Sequence, residues 1–470
     1  MLIEKVHNLI LSVGKEEVIP KDWNMAVICP IHKKGDKLTC TNYRGIALLN
    51  STYKVFAKIL ACRLKPYVED ILGDYQCGFR GNRSTTDQIF SVRTILEKCY
   101  EYNISTHHLF VDFKQAYDSI VRDWLYQVMT EFGIPSKLVN LTKMAVKATI
   151  CKVKIQGQLS QGFPVNRGLR QGDVISTIIF NICLENVMRN IELNPGGTIF
   201  NRTVHYLAYA DDVDLVARSP QALAEAYEQL ERGAKDIGLV VNVEKTKYML
   251  ASKRVSQVTS FRCGVNEFER VRDFQYLGST VTESNDTTAE VRKRISAGNK
   301  SYFASLPMLK SKHLSRKLKL QIYTTIIKPV VLYGSEAWTL NKKEEEMLLV
   351  WERKILRKIF GPLCENGVWR IRTNKEVQDL YDNPNILSEM KSRRLQWAGH
   401  VERAPDNRTI KKLSRGKPEG RRNVGRPRKR WLDEVEGDLR KMGVRGWRSK
   451  AGDREEWRKI VKEAKVLLEL

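Results

Sequence analysis

The feature that most constrains this chain is Tyr209-Ala210-Asp211-Asp212, a pair of carboxylates at the tip of what reads as a β-hairpin. Thr203-Val-His-Tyr-Leu-Ala-Tyr209 precedes the acids and Val213-Asp-Leu-Val-Ala217 follows them, and both stretches are rich in β-branched and aromatic residues that suit strands. A two-residue hairpin turn favours Asn-Gly or Asp-Gly, because its central residues need positive φ. Asp-Asp is a poor choice there, and it sets two like charges side by side. A solvated acidic turn would explain the pair taken alone. A second acidic strand end, Leu109-Phe-Val-Asp112-Phe113, turns the reading toward a metal site. If the two strands are sheet neighbours, the carboxylates converge at one edge. Two unit charges about 4 Å apart in water cost on the order of 1 kcal/mol, and a pair of divalent ions reverses the sign.

The partner class follows from charge. A 470-residue chain with a formal net charge of +26 suits a polyanion, of which nucleic acid is the commonest, with an anionic membrane surface as the competitor. Nine cysteines without a Cys-x-x-Cys pair point to reduced thiols in an intracellular setting, nuclear or cytoplasmic. The longest apolar stretch, Ile322 to Tyr333, is broken by Lys328 and Pro329 and is too short to span a bilayer, so no membrane partner is expected.

Periodicity predicts a helix over 53–68, a strand over 107–113 and a helix over 122–132 stopped by Gly133 and Pro135. Asp173 is placed to cap a helix running to Ile191, and Ser219-Pro220 to open one ending at Gly238. Strands follow at 239–243, 248–250 and 274–277, and a sheet with helices on one face is the simplest packing. Amphipathic helices are expected at 314–328 and 344–360, and Lys411 to Arg430 reads as the most flexible segment. The last 80 residues carry 25 Lys and Arg against 12 Asp and Glu, half of the net charge.

In this order the segments resemble the motifs of a known family. Asp112-Phe-Lys-Gln-Ala-Tyr117-Asp118 resembles motif A of reverse transcriptases, Gly168-Leu-Arg-Gln171-Gly172-Asp173 motif B, and Tyr209-Ala-Asp-Asp212 motif C. Gly238 to Lys247 is similar to motif D, and Phe274-Gln-Tyr-Leu-Gly278-Ser to the primer-grip region. Asn42 to Asn50 and Gln76-Cys-Gly-Phe-Arg80-Gly-Asn-Arg83 to Gln88 match fingers motifs of non-LTR (LINE-type) retrotransposon enzymes. The resemblance implies an α+β right-hand polymerase with fingers, an antiparallel-sheet palm and a helical thumb, followed by a basic helical C-terminal region. The implied divisions are fingers over 1–105, N-terminally truncated, and palm over 106–282 with a fingers insertion around 135–170. Thumb and connection then take 283–390, and a nucleic-acid-binding region 391–470.

The implied activity is RNA-directed DNA synthesis on an RNA template from a DNA primer with dNTPs, assisted by two Mg²⁺ ions for which Mn²⁺ can substitute. Asp112 and Asp211 are the implied metal ligands, with the Phe113 carbonyl as a further contact, while Asp212 either ligates or shapes the site. Tyr117 falls at the steric-gate position, Gln171 and Gly172 lie beside the incoming nucleotide, and Arg44 with Lys33 or Lys34 holds the triphosphate. Lys245 is the implied general acid toward pyrophosphate, with Lys247 as its rival. Arg80 and Arg83 are candidates for nucleic-acid contact. Asp118 and Asp173 read as helix caps, and Asp214 as facing water.

No Cys/His cluster downstream suggests a nuclease, so an endonuclease is not expected in this chain. Arg421 to Arg430 has a Gly-Arg-Pro core flanked by charge. Arg426, Arg428, Lys429 and Arg430 there could enter a minor groove, grip phosphates or form a nuclear localisation signal. Trp397, Trp431, Trp447 and Trp457 either stack on bases or pack helices. The alternative function is a catalytically silent or truncated polymerase-fold protein that only binds nucleic acid.

Overall fold

The computed structural model describes residues 2–147, 149–192, 206–254, 257–422 and 428–467. Thr203 to His205 of the expected strand, and Arg426 in the basic segment, lie outside the described residues.

The chain opens with α1 (Leu2–Glu16) and the antiparallel pair β1 (Met25–His32) and β2 (Tyr43–Leu48). Asn50 starts α2 (Ser51–Ile71) by accepting from the Thr52 and Tyr53 amides, and a Ser84/Asp87 capping box starts α3 (Thr85–Glu101). β3 (Thr106–Val111) leads to α4 (Ala116–Ser119), α5 (Arg122–Glu131) and α6 (Ser136–Val146). The chain then returns to the first sheet. β4 (Thr149–Ile155) pairs with β1 in parallel and carries β5 (Gln158–Leu159) and β6 (Phe163–Val165).

Asp173 caps α7 (Val174–Arg189) through the Ile175 amide, as the sequence suggested. The hairpin of β7 (Tyr206–Tyr209) and β8 (Asp212–Ala217) is followed by α8 (Pro220–Asp236), whose Ser219 cap accepts from the Ala222 amide. β9 (Lys247–Ala251) completes a second sheet of order β7-β8-β3-β9, antiparallel throughout. Two hairpins follow, β10 (Ser260–Cys263) with β11 (Asn266–Glu269) and β12 (Asp273–Tyr276) with β13 (Ser279–Thr282).

The rest is largely helical. α9 (Thr288–Lys310) packs with α10 (Arg316–Ile322), α11 (Lys328–Leu332) and α12 (Lys342–Phe360) around Tyr323, Trp338 and Trp351. A π-helical turn, Tyr323–Ile327, joins α10 to α11 just before Pro329, which has no N–H to donate. The small hairpin β14 (Leu363–Glu365) and β15 (Val368–Arg370) precedes α13 (Asn374–Tyr381) and α14 (Ile386–Arg403). α15 (Thr409–Arg415), α16 (Trp431–Lys441), α17 (Trp447–Gly452) and α18 (Arg454–Leu467) end the chain. No helix among the described residues is long and apolar enough to cross a membrane.

The palm sheet corrects the expectation of helices on one face. Leu109, Val111, Val213 and Leu215 face a core built with α5, α7 and α8. Phe110, Leu207, Val216 and Met249 face a second one, with Val92, Ile95 and Leu96 of α3 and Tyr276 and Val281 of the β12-β13 hairpin. Both alternating sets are apolar, so both faces must be covered. Asp214 lies in the second set, fully buried against His108 (Nδ1 to Oδ2, 3.0 Å) instead of facing water. The run 239–243 forms no strand; it makes one antiparallel bridge, Val241 with Phe113, because β9 already occupies that edge of β3.

The basic C-terminal stretch is a packed layer. Trp397, Trp431 and Trp457 share a buried cluster with Ile89 and Phe90 of α3. Lys411 to Arg415, expected to be flexible, lies within α15, where Leu413 is buried. The three indoles therefore serve helix packing.

Candidate active site

The register that pairs Val111 with Val213 brings Asp112 opposite Asp212, just past the last ladder pair. The two acidic strand ends are sheet neighbours. Tyr209 pairs with Asp212, so the turn residues are Ala210 and Asp211, and Ala210 carries the positive φ (56°). The Asp112 backbone is held on both sides: its amide donates to Thr246 Oγ1 (3.2 Å) and its carbonyl accepts from the Asn242 amide (2.7 Å). The Lys114 amide donates to the Val240 carbonyl (2.8 Å). This bridge uses the groups flanking Phe113 and leaves the Phe113 carbonyl on the side away from Val241.

The carboxylates perturb one another. Burial, and then the charge of Asp112, raises Asp211 against an opposing backbone hydrogen bond and the charge of Arg44. Asp212 keeps contact with solvent, yet desolvation by the surrounding protein and the charges of Asp211 and Asp112 push it up to about 6. Asp112 Oδ2 has no hydrogen-bond partner, with Lys245 Nζ 3.6 Å away as an ion pair. Three hard oxygen donors, one of them unbonded, fit a divalent cation of the Mg²⁺ type. Among the described residues, however, no three His, Cys, Asp or Glu side chains are gathered into a metal-ligating group.

Tyr117 stacks on Phe180 (4.7 Å between centroids, 18° between planes), and its hydroxyl is buried without a partner. Burial, and then Asp211, raises that hydroxyl's pKa. Gln171 Nε2 lies 3.2 Å from both Asp118 carboxylate oxygens, so Asp118 receives this contact and does not cap α4, whose N-cap is Gln115. Gly172, at φ 112°, makes a close approach to protein: a β-carbon there would sit 3.1 Å from the Ala47 carbonyl oxygen of β2. Lys33, Lys34 and Arg44 are exposed on the β1-β2 hairpin. Desolvation raises Asp118, and the Gln171 bond and the charges of Lys33 and Arg44 draw it back. Lys247 is engaged elsewhere, donating to the Glu244 carbonyl and Glu269 Oε2, each at 2.7 Å.

The two arginines of the second fingers motif, Arg80 and Arg83, are engaged by other partners. Arg80 is buried, donating to Glu69 Oε2 (2.8 Å) and to the Leu72, Gly73 and Gln76 carbonyls. A guanidinium with these partners ties a loop to α2, and nucleic-acid contact would require exchanging them. Arg83 is likewise held by Asp74 Oδ1 at 2.7 Å, with little of its side chain exposed. In the basic tail Arg428 lies over the Tyr100 ring and donates to the Ser284 carbonyl, Lys429 pairs with Glu434, and Arg430 with Asp433. Sequence reasoning missed Thr246, Gln76 and Gln88, which brace the acidic strand ends. All three lie inside the quoted motifs, which was the available signal, but their hydrogen-bond partners are set only by the folded chain.

Residues 31–281, more than half of the 470-residue chain, match the family model described as reverse transcriptase (RNA-dependent DNA polymerase). A transposon-derived protein of Caenorhabditis elegans is 26% identical over 271 residues, covering 56% of this chain and 96% of that protein. The RNA-directed DNA polymerase from mobile element jockey of Drosophila melanogaster is 23% identical over 442 residues, covering 88% of this chain and 47% of its own length. A polymerase from the Drosophila transposon X-element, also 23% identical, covers 91% and 46%. The chain thus spans less than half the length of these two polymerases. It belongs to the reverse transcriptase family, among the non-LTR (LINE-type) retrotransposon enzymes whose motifs it carries.

Proposed function

We propose that this chain extends the 3′-hydroxyl of a DNA primer with dNTPs on an RNA template. The observation that carries the reading is the β3-β8 register, which sets Asp112 against the Asp211-Asp212 turn at one end of the palm sheet. Asp112, Asp211 and Asp212, with the Phe113 carbonyl, would hold two Mg²⁺ ions, or Mn²⁺ in their place. Bound there, such ions supply charge compensation for the attacking and leaving oxygens of phosphoryl transfer.

The remaining roles belong to the chain's own groups. The primer 3′-oxygen attacks the α-phosphorus while the bond to pyrophosphate breaks, and positioning by the protein lowers the barrier. Arg44, Lys33 and Lys34 sit on an exposed hairpin from which they grip the triphosphate. Tyr117, immobilised against Phe180, excludes a 2′-hydroxyl, and Gln171 and Gly172 border the nucleotide. Lys245 delivers a proton to the departing pyrophosphate. We assign fingers to 1–105 with the insertion at 135–170, palm to the rest of 106–282, thumb and connection to 283–390, nucleic-acid binding to 391–470, and action in the nucleus, the cytoplasm or both to the whole. For the described tail cations, Arg428, Lys429 and Arg430, nucleic-acid contact requires exchanging the internal partners they now hold.

Primer extension on purified protein tests the reading. Asp112→Ala or Asp211→Ala is expected to abolish extension while template binding in a gel shift persists. Extension surviving in either variant would remove the metal assignment. Template binding by the wild-type chain without any extension would assign it a binding role only.

A further inference from the structure

Ala210 is a non-glycine residue in the left-handed region (φ 56°), at the turn that presents Asp211 and Asp212. An L-residue holds that conformation only where its surroundings over-determine it. Here the surroundings are one side chain. Gln76 Oε1 accepts from the Ala210 amide (2.8 Å) and the Gly78 amide (2.8 Å), and Gln76 Nε2 donates to the Ala210 carbonyl (3.3 Å). Both ends of residue 210 are gripped by a single carboxamide that is 1% exposed. A β-carbon on Gly78 would lie 2.3 Å from the Ala210 nitrogen, so the 76–78 segment presses directly on the turn.

The grip is itself anchored. The Cys77 amide donates to the Ala208 carbonyl (2.9 Å), and the Ala208 amide to the Tyr75 carbonyl (3.0 Å), which adds 75–77 as a short parallel edge to β7. Gln88 of α3 donates to the Tyr75 and Ala208 carbonyls (2.6 and 2.8 Å), and Asn181 of α7 to the Gly78 carbonyl (2.8 Å). Asp87, one residue before Gln88, is held by Arg408 of the C-terminal layer (2.5 Å).

We infer that Gln76 is a positioning residue of the polymerase site: it holds Ala210 left-handed and thereby aims Asp211 and Asp212 at a shared divalent-cation position. The inference rests on the polymerase reading above. Two buried hydrogen bonds to Ala210, with a third that fixes the carboxamide to Gly78, outweigh the cost of a left-handed alanine; without them the turn relaxes and the carboxylates swing.

Gln76→Met keeps length and bulk and removes all three bonds. Mn²⁺ binding followed by electron paramagnetic resonance, primer extension, primer–template affinity and melting temperature are measured on the full chain, with Asp211→Ala as the reference for site-bound Mn²⁺. The expected result is an Asp211-dependent Mn²⁺ dissociation constant raised at least fivefold and extension lowered at least tenfold, with primer–template affinity within twofold. Adding Ala210→Gly to Gln76→Met is expected to restore part of both, because glycine adopts positive φ without help.

Wild-type Mn²⁺ binding and extension in Gln76→Met, or losses that Ala210→Gly leaves untouched, would overturn the inference while leaving the polymerase reading intact. A wild-type chain with neither extension nor Asp211-dependent Mn²⁺ binding would overturn both. Should Gln76→Met fail to fold, Gln76→Asn, one methylene too short to reach both sides of Ala210, carries the same expectations and the same refutation.

Discussion

The Trp457 indole lies so close to Gly399 that a β-carbon on residue 399 would sit 2.1 Å from Nε1. Trp457 Nε1 donates to the Leu395 carbonyl (2.9 Å), so the ring cannot retreat without leaving a buried donor unpaired. This contact docks α18 on α14, and α14 in turn carries Trp397 against Phe90 of α3. Gly399→Ala is expected to cost about 1–3 kcal/mol, the usual range for overpacking, read as a lower denaturant midpoint with unchanged slope. A variant as stable as the parent would show that the C-terminal layer tolerates displacement from α14.

Lys245 and Lys247 are rivals for the general acid, and their surroundings differ. Lys247 is tied to Glu269, whereas Lys245 is exposed and lies 3.6 Å from Asp112 Oδ2. Proton delivery by a positioned side chain contributes roughly 10²–10⁴-fold. Lys245→Ala is therefore expected to lower single-turnover extension at least tenfold with little change in dNTP affinity, and Lys247→Ala to leave the rate within threefold. The reverse ranking in rapid-quench measurements would transfer the role to Lys247.

The acidic strand ends were legible because alternation is local: β-branched runs around Asp112 and Asp211 declare both strands, and the turn breaks a local rule. What stayed hidden depends on distant chain. Asp214 follows the same alternation, but α3 and His108, more than a hundred residues earlier, and the later β12-β13 hairpin decide that its face is covered. The apolar run 239–243 looks like a strand, yet it passes beyond the end of β3, where a single bridge is available. Charge is ambiguous for the same reason. Arginines in a basic chain suggest phosphate, while the carbonyls that receive Arg80 are grouped only by the folded 72–76 loop. The tail's tryptophans admitted two uses, and the apolar face of α3 settled the choice.

Arg80 offers a direct check between a loop tie and a phosphate contact. Its guanidinium bridges the Glu69 carboxylate and four backbone carbonyls, so Arg80→Ala strands several buried acceptors. With Glu69 partly open to solvent, a loss on the order of 2–3 kcal/mol is expected. Primer–template affinity should keep the same salt dependence, because a phosphate contact would change the slope and a loop tie would not. A weaker salt slope at unchanged stability would return Arg80 to the nucleic-acid interface.

Glu97 supplies a pH dependence. It accepts from the Trp431 amide (2.8 Å), where the C-terminal layer meets α3. Burial pushes its carboxyl from the usual 4.5 up to about 7, against the Trp431 bond and the charges of Lys98 and Arg430. A carboxyl raised in the folded state binds its proton more tightly there than in the unfolded chain. Its contribution to stability is therefore complete below about pH 4.5 and is lost as pH rises through 7. Residual access to water discounts the full linkage value to on the order of 1–2 kcal/mol. Glu97→Gln keeps the acceptor for Trp431 and cannot ionise. It should match the parent near pH 4 and exceed it by that amount near pH 8 in denaturant titrations. Because Lys98 is lowered to about 8 by its own burial, the comparison belongs at or below that pH. Parallel stability curves for parent and variant from pH 4 to 8 would mean that Glu97 stays ionised in the fold.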